Sequence, residues 1–450
     1  MRLFIPGLRL VCSVALALAL LSSRPAGAYS VLSHEEVVDM AWLPHIVPLL
    51  RARYPGLTDA QIKEAHAYAY GGSVIQDIGY YPFGSHEFSD LLHYVRTGDF
   101  VSALLRESTN PDEYAFALGA LAHYCGDVLG HPAVNRITAD EYPKLYRRFG
   151  PVVTYDNDKT AHIRTEFGFD VAEVAHGRYS QQNYRDFIGF QVSKELLERA
   201  FQETYGLPLN SIMKHEDLAI GSYRRAVSGL IPKMTTVALV NYKNQIEKEN
   251  PGFDHQKFVY RLNRTEYEKD YGKQYAHPRF GSHVLAYIFA VLPKVGPLKV
   301  FALKVPTPTE QDAYIKSINA TVDKFNRYLI ALQAVPSSAA GTPPAPDLSE
   351  IDLDTGKPSQ FGEYRLADRS YATLLDTLLR QQTPIPQDIR QSLEDFFSHR
   401  SEPPWYQKNK KSWQRLDADL HALDAVAPMP KLQSASVAGV PQPGPLRGSQ

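Results

Sequence analysis

The sequence predicts an all-α protein, a scaffold of many helices that carries a multinuclear metal site. Three observations point there. Apolar residues recur at helical spacing along much of the chain. Strand alternation and hairpin turns are scarce. Potential metal ligands sit four residues apart, His123-x3-Asp127-x3-His131 and His162-x3-Glu166, and each fourth residue advances only about 40° around a helix, so each set shares one face.

From the N-terminus, Arg2 and Arg9 precede an apolar run from Val11 to Leu21, followed by Pro25-Ala26-Gly27-Ala28. A basic start, a short apolar core and an Ala-x-Ala site read as a signal peptide over 1–28, cut after Ala28. The apolar run is too short for a comfortable membrane span. The expectation is a secreted or periplasmic chain with no transmembrane anchor after cleavage. Cleavage would free the α-amine of Tyr29, a nitrogen donor five residues before His34.

Composition narrows the classes. With 44% apolar and 22% charged residues the chain is globular and can bury a large core. Loss of Arg2, Arg9 and Arg24 with the leader takes 48 basic residues to 45 against 49 acidic ones, a net charge of −4. That gives no general attraction to nucleic acid or anionic membranes. Of two cysteines, Cys12 would leave with the leader, so Cys125 has no partner for an internal disulfide. Packing and metal are left to stabilise the fold.

Helices are expected at 59–70 after the cap Thr58, at 88–95 and 100–107, and from Asn110-Pro111 through the first ligand set, where Asn caps and Pro fits the first turn. A further helix over 157–173 carries His162 and Glu166. Others follow at 194–205, 215–248, 280–292, 309–334, 370–381 and 386–398. Residues 334–357, rich in Pro, Ser, Ala and Gly, read as a linker or long surface loop. This divides the chain into a helical domain over 29–333, a C-terminal helical segment over 358–424 and a disordered tail over 425–450.

The chemistry lies in the first domain. Imidazole and carboxylate bind zinc where thiolates are absent. His123 and His131 stand about 12 Å apart along a helix axis, too far to share one ion whose bonds are about 2 Å. Asp127, between them, suits an ion on the His123 side. His162 and Glu166, one turn apart, can hold an ion together. The spacing therefore suggests at least two ions. Upstream, Asp77 follows a Gly71-Gly72 break, where a loop could deliver a ligand or a base; a turn residue is the bland alternative. His93 falls on a helical segment, with His86 as its competitor for a ligand role. Tyr68, Tyr70, Tyr80, Tyr81 and Phe83 flank Asp77. They read as packing first, and otherwise as a wall for a choline cation or a nucleobase.

Taken in order, Tyr29, His34, Asp77, His93, His123-x3-Asp127, His131 and His162-x3-Glu166 resemble the trinuclear zinc phospholipase C and single-strand nuclease superfamily. The stretch 117–132 is similar to the zinc-dependent phospholipase C branch that includes the catalytic domain of glycosylphosphatidylinositol-specific phospholipase D. The resemblance covers roughly residues 29–300. It implies an all-α fold with two or three zinc ions, three by the full pattern, in a cleft. One ion would be held by Asp77, His93, His123 and Asp127. The Tyr29 amine and carbonyl, with His34 and Asp127, would hold its neighbour, and His131, His162 and Glu166 the third. Asp77 would also be the catalytic residue that orients or deprotonates water. Tyr at the new terminus, where relatives usually have Trp, and the lack of disulfides are departures.

The implied activity is a secreted zinc-dependent phosphodiester hydrolase, a phospholipase C that releases a phosphorylated head group and diacylglycerol. Its partner would be a phospholipid or other phosphodiester, with transient contact to a membrane surface and nucleic acid disfavoured. The alternatives are a nuclease or other phosphodiesterase on the same scaffold, or a non-catalytic, zinc-stabilised extracytoplasmic binding protein.

Overall fold

A computed structural model describes residues 31–175, 191–225, 304, 306–334, 346, 348–381, 384–398 and 401–426. In chain order its elements begin with α1 (Val31–Ala41), a π-helical turn (Trp42–Ile46), α2 (Val47–Arg53), α3 (Asp59–Ser73) and a 3-10 turn (Ile75–Tyr80). Then come α4 (His86–Tyr94), α5 (Thr97–Glu107), α6 (Pro111–Glu141), α7 (Pro143–Phe149), α8 (Lys159–Ala175), α9 (Lys194–Tyr205), α10 (Leu209–Ile212), α11 (Glu216–Arg225) and α12 (Pro308–Ala334). A two-stranded antiparallel hairpin, β1 (Ile351–Asp352) and β2 (Lys357–Pro358), precedes α13 (Arg365–Gln381), α14 (Gln387–Phe396), α15 (Pro404–Gln407) and α16 (Lys410–Ala425). The fold is all-α, with this hairpin the exception among the described residues.

Helix starts follow local chemistry. Thr58 forms a capping box with Gln61, each side chain satisfying the other's backbone N–H, which contributes about 1 kcal/mol. Asn110 Oδ1 accepts from the N–H groups of Asp112 and Glu113, and Pro111 occupies the first turn, where its missing donor costs nothing. α6 is buried on every side from Tyr114 to Val128, as a helix apolar all round must be. The other elements gather about it: α3, α5, α12 and α1 pack against it, and α13 covers α4.

Two glycines set the closest of these contacts. A methyl group on Gly72 of α3 would lie 1.8 Å from the carbonyl oxygen of Phe116, and one on Gly119 of α6 would lie 1.9 Å from that of Ala69. α3 and α6 therefore touch backbone to backbone, which only glycine permits at both positions.

Observed helices differ from expectation mainly at their ends. The helix begun at Pro111 continues past Pro132 to Glu141, because the packing around it holds the turn that proline weakens. α1, α2, α7, α10, α15 and α16 were not anticipated. Of the helix expected over 215–248, only Glu216–Arg225 is described, and the one at 280–292 lies outside the described residues. In the stretch read as a linker, 335–345 lies outside the described residues, while Leu348, Asp352, Leu353 and Asp354 are buried. No helix among the described residues is long and apolar enough to cross a membrane.

Gly72→Ala should lower stability by about 3 kcal/mol or more, because the clash is with backbone that cannot rotate away. Gly221→Ala, on α11 with open space around it, should instead stabilise by ~0.5–1 kcal/mol. Thermal unfolding of the two variants against the parent measures the contrast.

Candidate metal centre

The helices converge on a buried cluster of imidazoles and carboxylates. α1 supplies His34, the 3-10 turn Asp77, α4 His93, α6 His123, Asp127 and His131, and α8 His162 and Glu166; all are buried. Potential ligand atoms of His34, His123 and Asp127 lie within 4.8 Å of one another. The same holds for Asp77, His93 and His123, and for His131, His162 and Glu166. Eight of the nine residues singled out in the sequence are thus brought into three adjoining groups. The ninth, Tyr29, lies outside the described residues. His86, the competitor of His93, sits at the start of α4 with its ring 5.5 Å from that of Tyr80, outside all three groups.

Asp127 joins the groups. Its Oδ1 is 3.5 Å from His34 Nε2, and its Oδ2 is 3.0 Å from His123, 3.4 Å from His93 and 3.7 Å from His131 Nε2. Asp77 Oδ1 is 3.4 Å from His93 Nε2. Charge-assisted N–H···O bonds are shorter, about 2.7–2.9 Å. Two ligands about 2.1 Å from one tetrahedral ion stand about 3.4 Å apart. Most of these separations match the edge of a coordination polyhedron better than a hydrogen bond; the exceptions are the 3.0 Å between His123 Nε2 and Asp127 Oδ2 and the 2.7 Å between His162 Nε2 and Glu166 Oε1.

Two histidines are aimed by carbonyls. His93 Nδ1 donates to Ser89 O and His123 Nδ1 to Ser73 O, each at 2.8 Å. Each proton is fixed on Nδ1, and each Nε2 turns a lone pair into the cluster. Ser73 is within reach only because Gly72 lets α3 approach α6. The inward atoms are short of partners: Nε2 of His93 and His123, both oxygens of Asp127, both nitrogens of His131 and His162, Asp77 Oδ1 and Glu166 Oε1 are buried without a hydrogen bond. Leaving such an atom unsatisfied costs ~1–3 kcal/mol, and a shared cation relieves several at once. The donor set, imidazole and carboxylate only, suits zinc.

Charge balance agrees. Burial pushes Asp77 and Glu166 up from the usual carboxylate range, and it lowers His34 and brings His162 down to about 4. Asp127 goes the other way: burial alone would raise it, but His123 and His131 hold it well below the usual carboxylate range.

Residues 33–214 match the model of the family described as zinc dependent phospholipase C. Over this segment the chain is similar to that family. No curated protein and no solved structure gives a match. The zinc dependent phospholipase C segment runs from Ser33, in the first turn of α1, to Lys214, and so contains all eight clustered residues.

The aromatic residues flanking Asp77 separate on inspection. Tyr70 donates to Asp39, Tyr80 donates to Asp90 at 3.0 Å, and Tyr81 meets Tyr223 edge to face at 4.3 Å. These three are packed, and Phe83 is exposed. One acid near the cluster was missed altogether: Asp354, from the stretch read as a linker, has its Oδ1 3.4 Å from His131 Nε2. Its only signal in the sequence is the turn-forming run Asp352-Leu353-Asp354-Thr355-Gly356.

Stripping metal with a chelator should lower the melting temperature by several degrees, since a ligand at a thousand times its Kd contributes about 4 kcal/mol. Added zinc should restore it. Differential scanning calorimetry at matched protein concentration gives the comparison, and equal midpoints with and without chelator would contradict it.

Proposed function

We propose that this protein is a secreted phospholipase C that uses three zinc ions and cleaves phospholipids into diacylglycerol and a phosphorylated head group. The observation that carries the reading is the buried cluster itself, in which partnerless imidazole and carboxylate atoms gather about Asp127 inside a zinc dependent phospholipase C segment. Asp77, His93, His123 and Asp127 would hold one ion. His34 and Asp127, with the amine and carbonyl of Tyr29, would hold the second, and His131, His162 and Glu166 the third. Tyr29 stands two residues before α1, and His34 lies in that helix's first turn. A chain cut after Ala28 would begin five residues before His34 in the sequence, and on this reading it is exported to the periplasm or the medium.

Zinc, when bound, supplies charge neutralisation at phosphate oxygens and a water acidic enough to react at neutral pH. The chain's own part is positional. Asp77 takes the proton of the attacking water, whose oxygen bonds to phosphorus while the ester bond to diacylglycerol breaks; the departing oxygen takes a proton from solvent, and Asp77 returns its own to solvent. Burial raises the Asp77 carboxyl from the usual carboxylate range, the direction a general base requires. The cluster is buried, so each fixed charge acts in a low dielectric. Phe83, 54% exposed on the loop after the 3-10 turn that carries Asp77, offers an apolar tip for transient contact with a lipid surface. On this reading residues 29–333 form the catalytic domain and 358–424 a C-terminal helical segment, packed on α4 through α13.

Zinc-loaded mature protein should hydrolyse phosphatidylcholine or an inositol phospholipid, followed as released diacylglycerol. Asp77→Asn should lower the rate by about 10²–10⁴-fold with helical content unchanged. Cleavage of single-stranded DNA but of neither lipid would move the assignment to a nuclease. Bound zinc without hydrolysis of any of the three would leave a metal-stabilised binding protein.

A further inference from the structure

The hairpin at 351–358 reaches the cluster from far along the chain, outside the family segment. It is fastened at every step. Asp352 Oδ1 accepts from the N–H groups of Asp354 and Thr355 at 2.9 and 3.2 Å, closing a tight turn. The Leu353 N–H donates to the carbonyl of His93 at 3.0 Å, and Asn135 Nδ2 of α6 donates to the carbonyl of Asp354 at 2.8 Å. Gly356 has φ +67°, and a side chain there would meet Val128 O at 2.5 Å and the Pro132 ring at 2.8 Å. Proline has no N–H, so Pro132 leaves the Val128 carbonyl without its usual helical partner. The turn settles on that stretch of α6, between Asp127 and His131.

This scaffold orients one carboxylate. The hydroxyls of Tyr94 and Tyr364 donate to Asp354 Oδ2 at 2.8 and 2.5 Å. With Oδ2 engaged twice, Oδ1 is the oxygen presented to His131 Nε2 at 3.4 Å, the spacing seen between Asp77 and His93. His131 needs such a neighbour. His93 and His123 are aimed by carbonyls, whereas neither ring nitrogen of His131 has a hydrogen-bond partner. Charge favours it as well: Glu166 is the one carboxylate of the His131 group, and a second would balance a dication.

We propose that Asp354 Oδ1 is an anionic donor to the ion held by His131, so that the C-terminal hairpin completes the metal centre. This rests on the three-ion reading above. Its consequence is that the His131 ion is held tightly only when the hairpin is docked on α6.

Zinc content and affinity of the full mature chain, measured by elemental analysis and competition with a chromophoric chelator, test it without any assay of turnover. Asp354→Asn keeps the shape and removes the charge. It should lose one zinc equivalent, with affinity for that ion lowered at least about 10- to 100-fold. Asp352→Asn, which can still cap the turn, should retain all its zinc. Full zinc in Asp354→Asn, or equal loss in both variants, overturns the proposal. Anomalous diffraction at the zinc edge from crystals of the unsubstituted protein decides the matter even if a variant does not fold. An ion at His131, His162 and Glu166 with Asp354 Oδ1 about 2.0–2.2 Å away is the expected result. An ion there with Asp354 Oδ1 beyond about 3 Å overturns this inference and leaves the three-ion reading intact, whereas no ion at that group overturns both.

Discussion

Everything near the centre of this fold answers to one buried charge. Asp127 lies in the middle of α6, and both its carboxylate oxygens are out of water. An unpaired carboxylate in such surroundings is costly, and removing one partner of a buried ion pair typically costs about 3–5 kcal/mol. Here the compensation is distributed over four imidazoles, His34, His93, His123 and His131, delivered by α1, α4 and α6. That distribution fixes three helices relative to one another. It also makes Asp127, among the described residues, the carboxylate that faces His34, His93, His123 and His131 together, so a cation on one side alters the field felt on the other.

The imidazoles are aimed by the packing of backbone against backbone. His93 is oriented within its own helix, by the carbonyl four residues before it, and its tautomer follows once α4 has formed. His123 is different: its anchor, Ser73 O, lies fifty residues earlier, and the bond exists because glycines at 72 and 119 let two helices touch. The stability of the α3–α6 contact and the direction of a ligand lone pair are therefore one property. A methyl group inserted between those helices would push a carbonyl away from a histidine as well as strain the core.

Legibility in the sequence followed the range of the interaction. Ligand spacings on α6 and α8 were readable because a single helix sets them, and so were the caps at Thr58 and Asn110. Asp77 was picked out by the Gly71-Gly72 break and His93 by its helical segment, but both signals are weak, and their roles, like that of His34, came from their order along the chain beside a family pattern. The extent of α6 was not readable, since Pro132 argues for a stop and only the surrounding core overrides it. Asp354 was invisible for the same reason at longer range. The Pro- and Ser-rich composition before it reads as solvent-exposed chain, and its burial depends on two tyrosines, an asparagine and a freed carbonyl that fold topology alone brings near.

The charge state of the metal-free cluster shows how it would load. Burial leaves His34 and His162 neutral and raises Asp77 and Glu166. His93 and His123 run against burial: beside Asp127 and Asp77 they are raised above the ordinary imidazole value. Without a metal, the charge of Asp127 thus favours protons on His93 and His123. On the proposed reading those same nitrogens take zinc, so zinc binding there works against protonation. Protons and zinc compete for one set of lone pairs. Acid therefore favours the empty, internally neutralised cluster, and rising pH favours the loaded one.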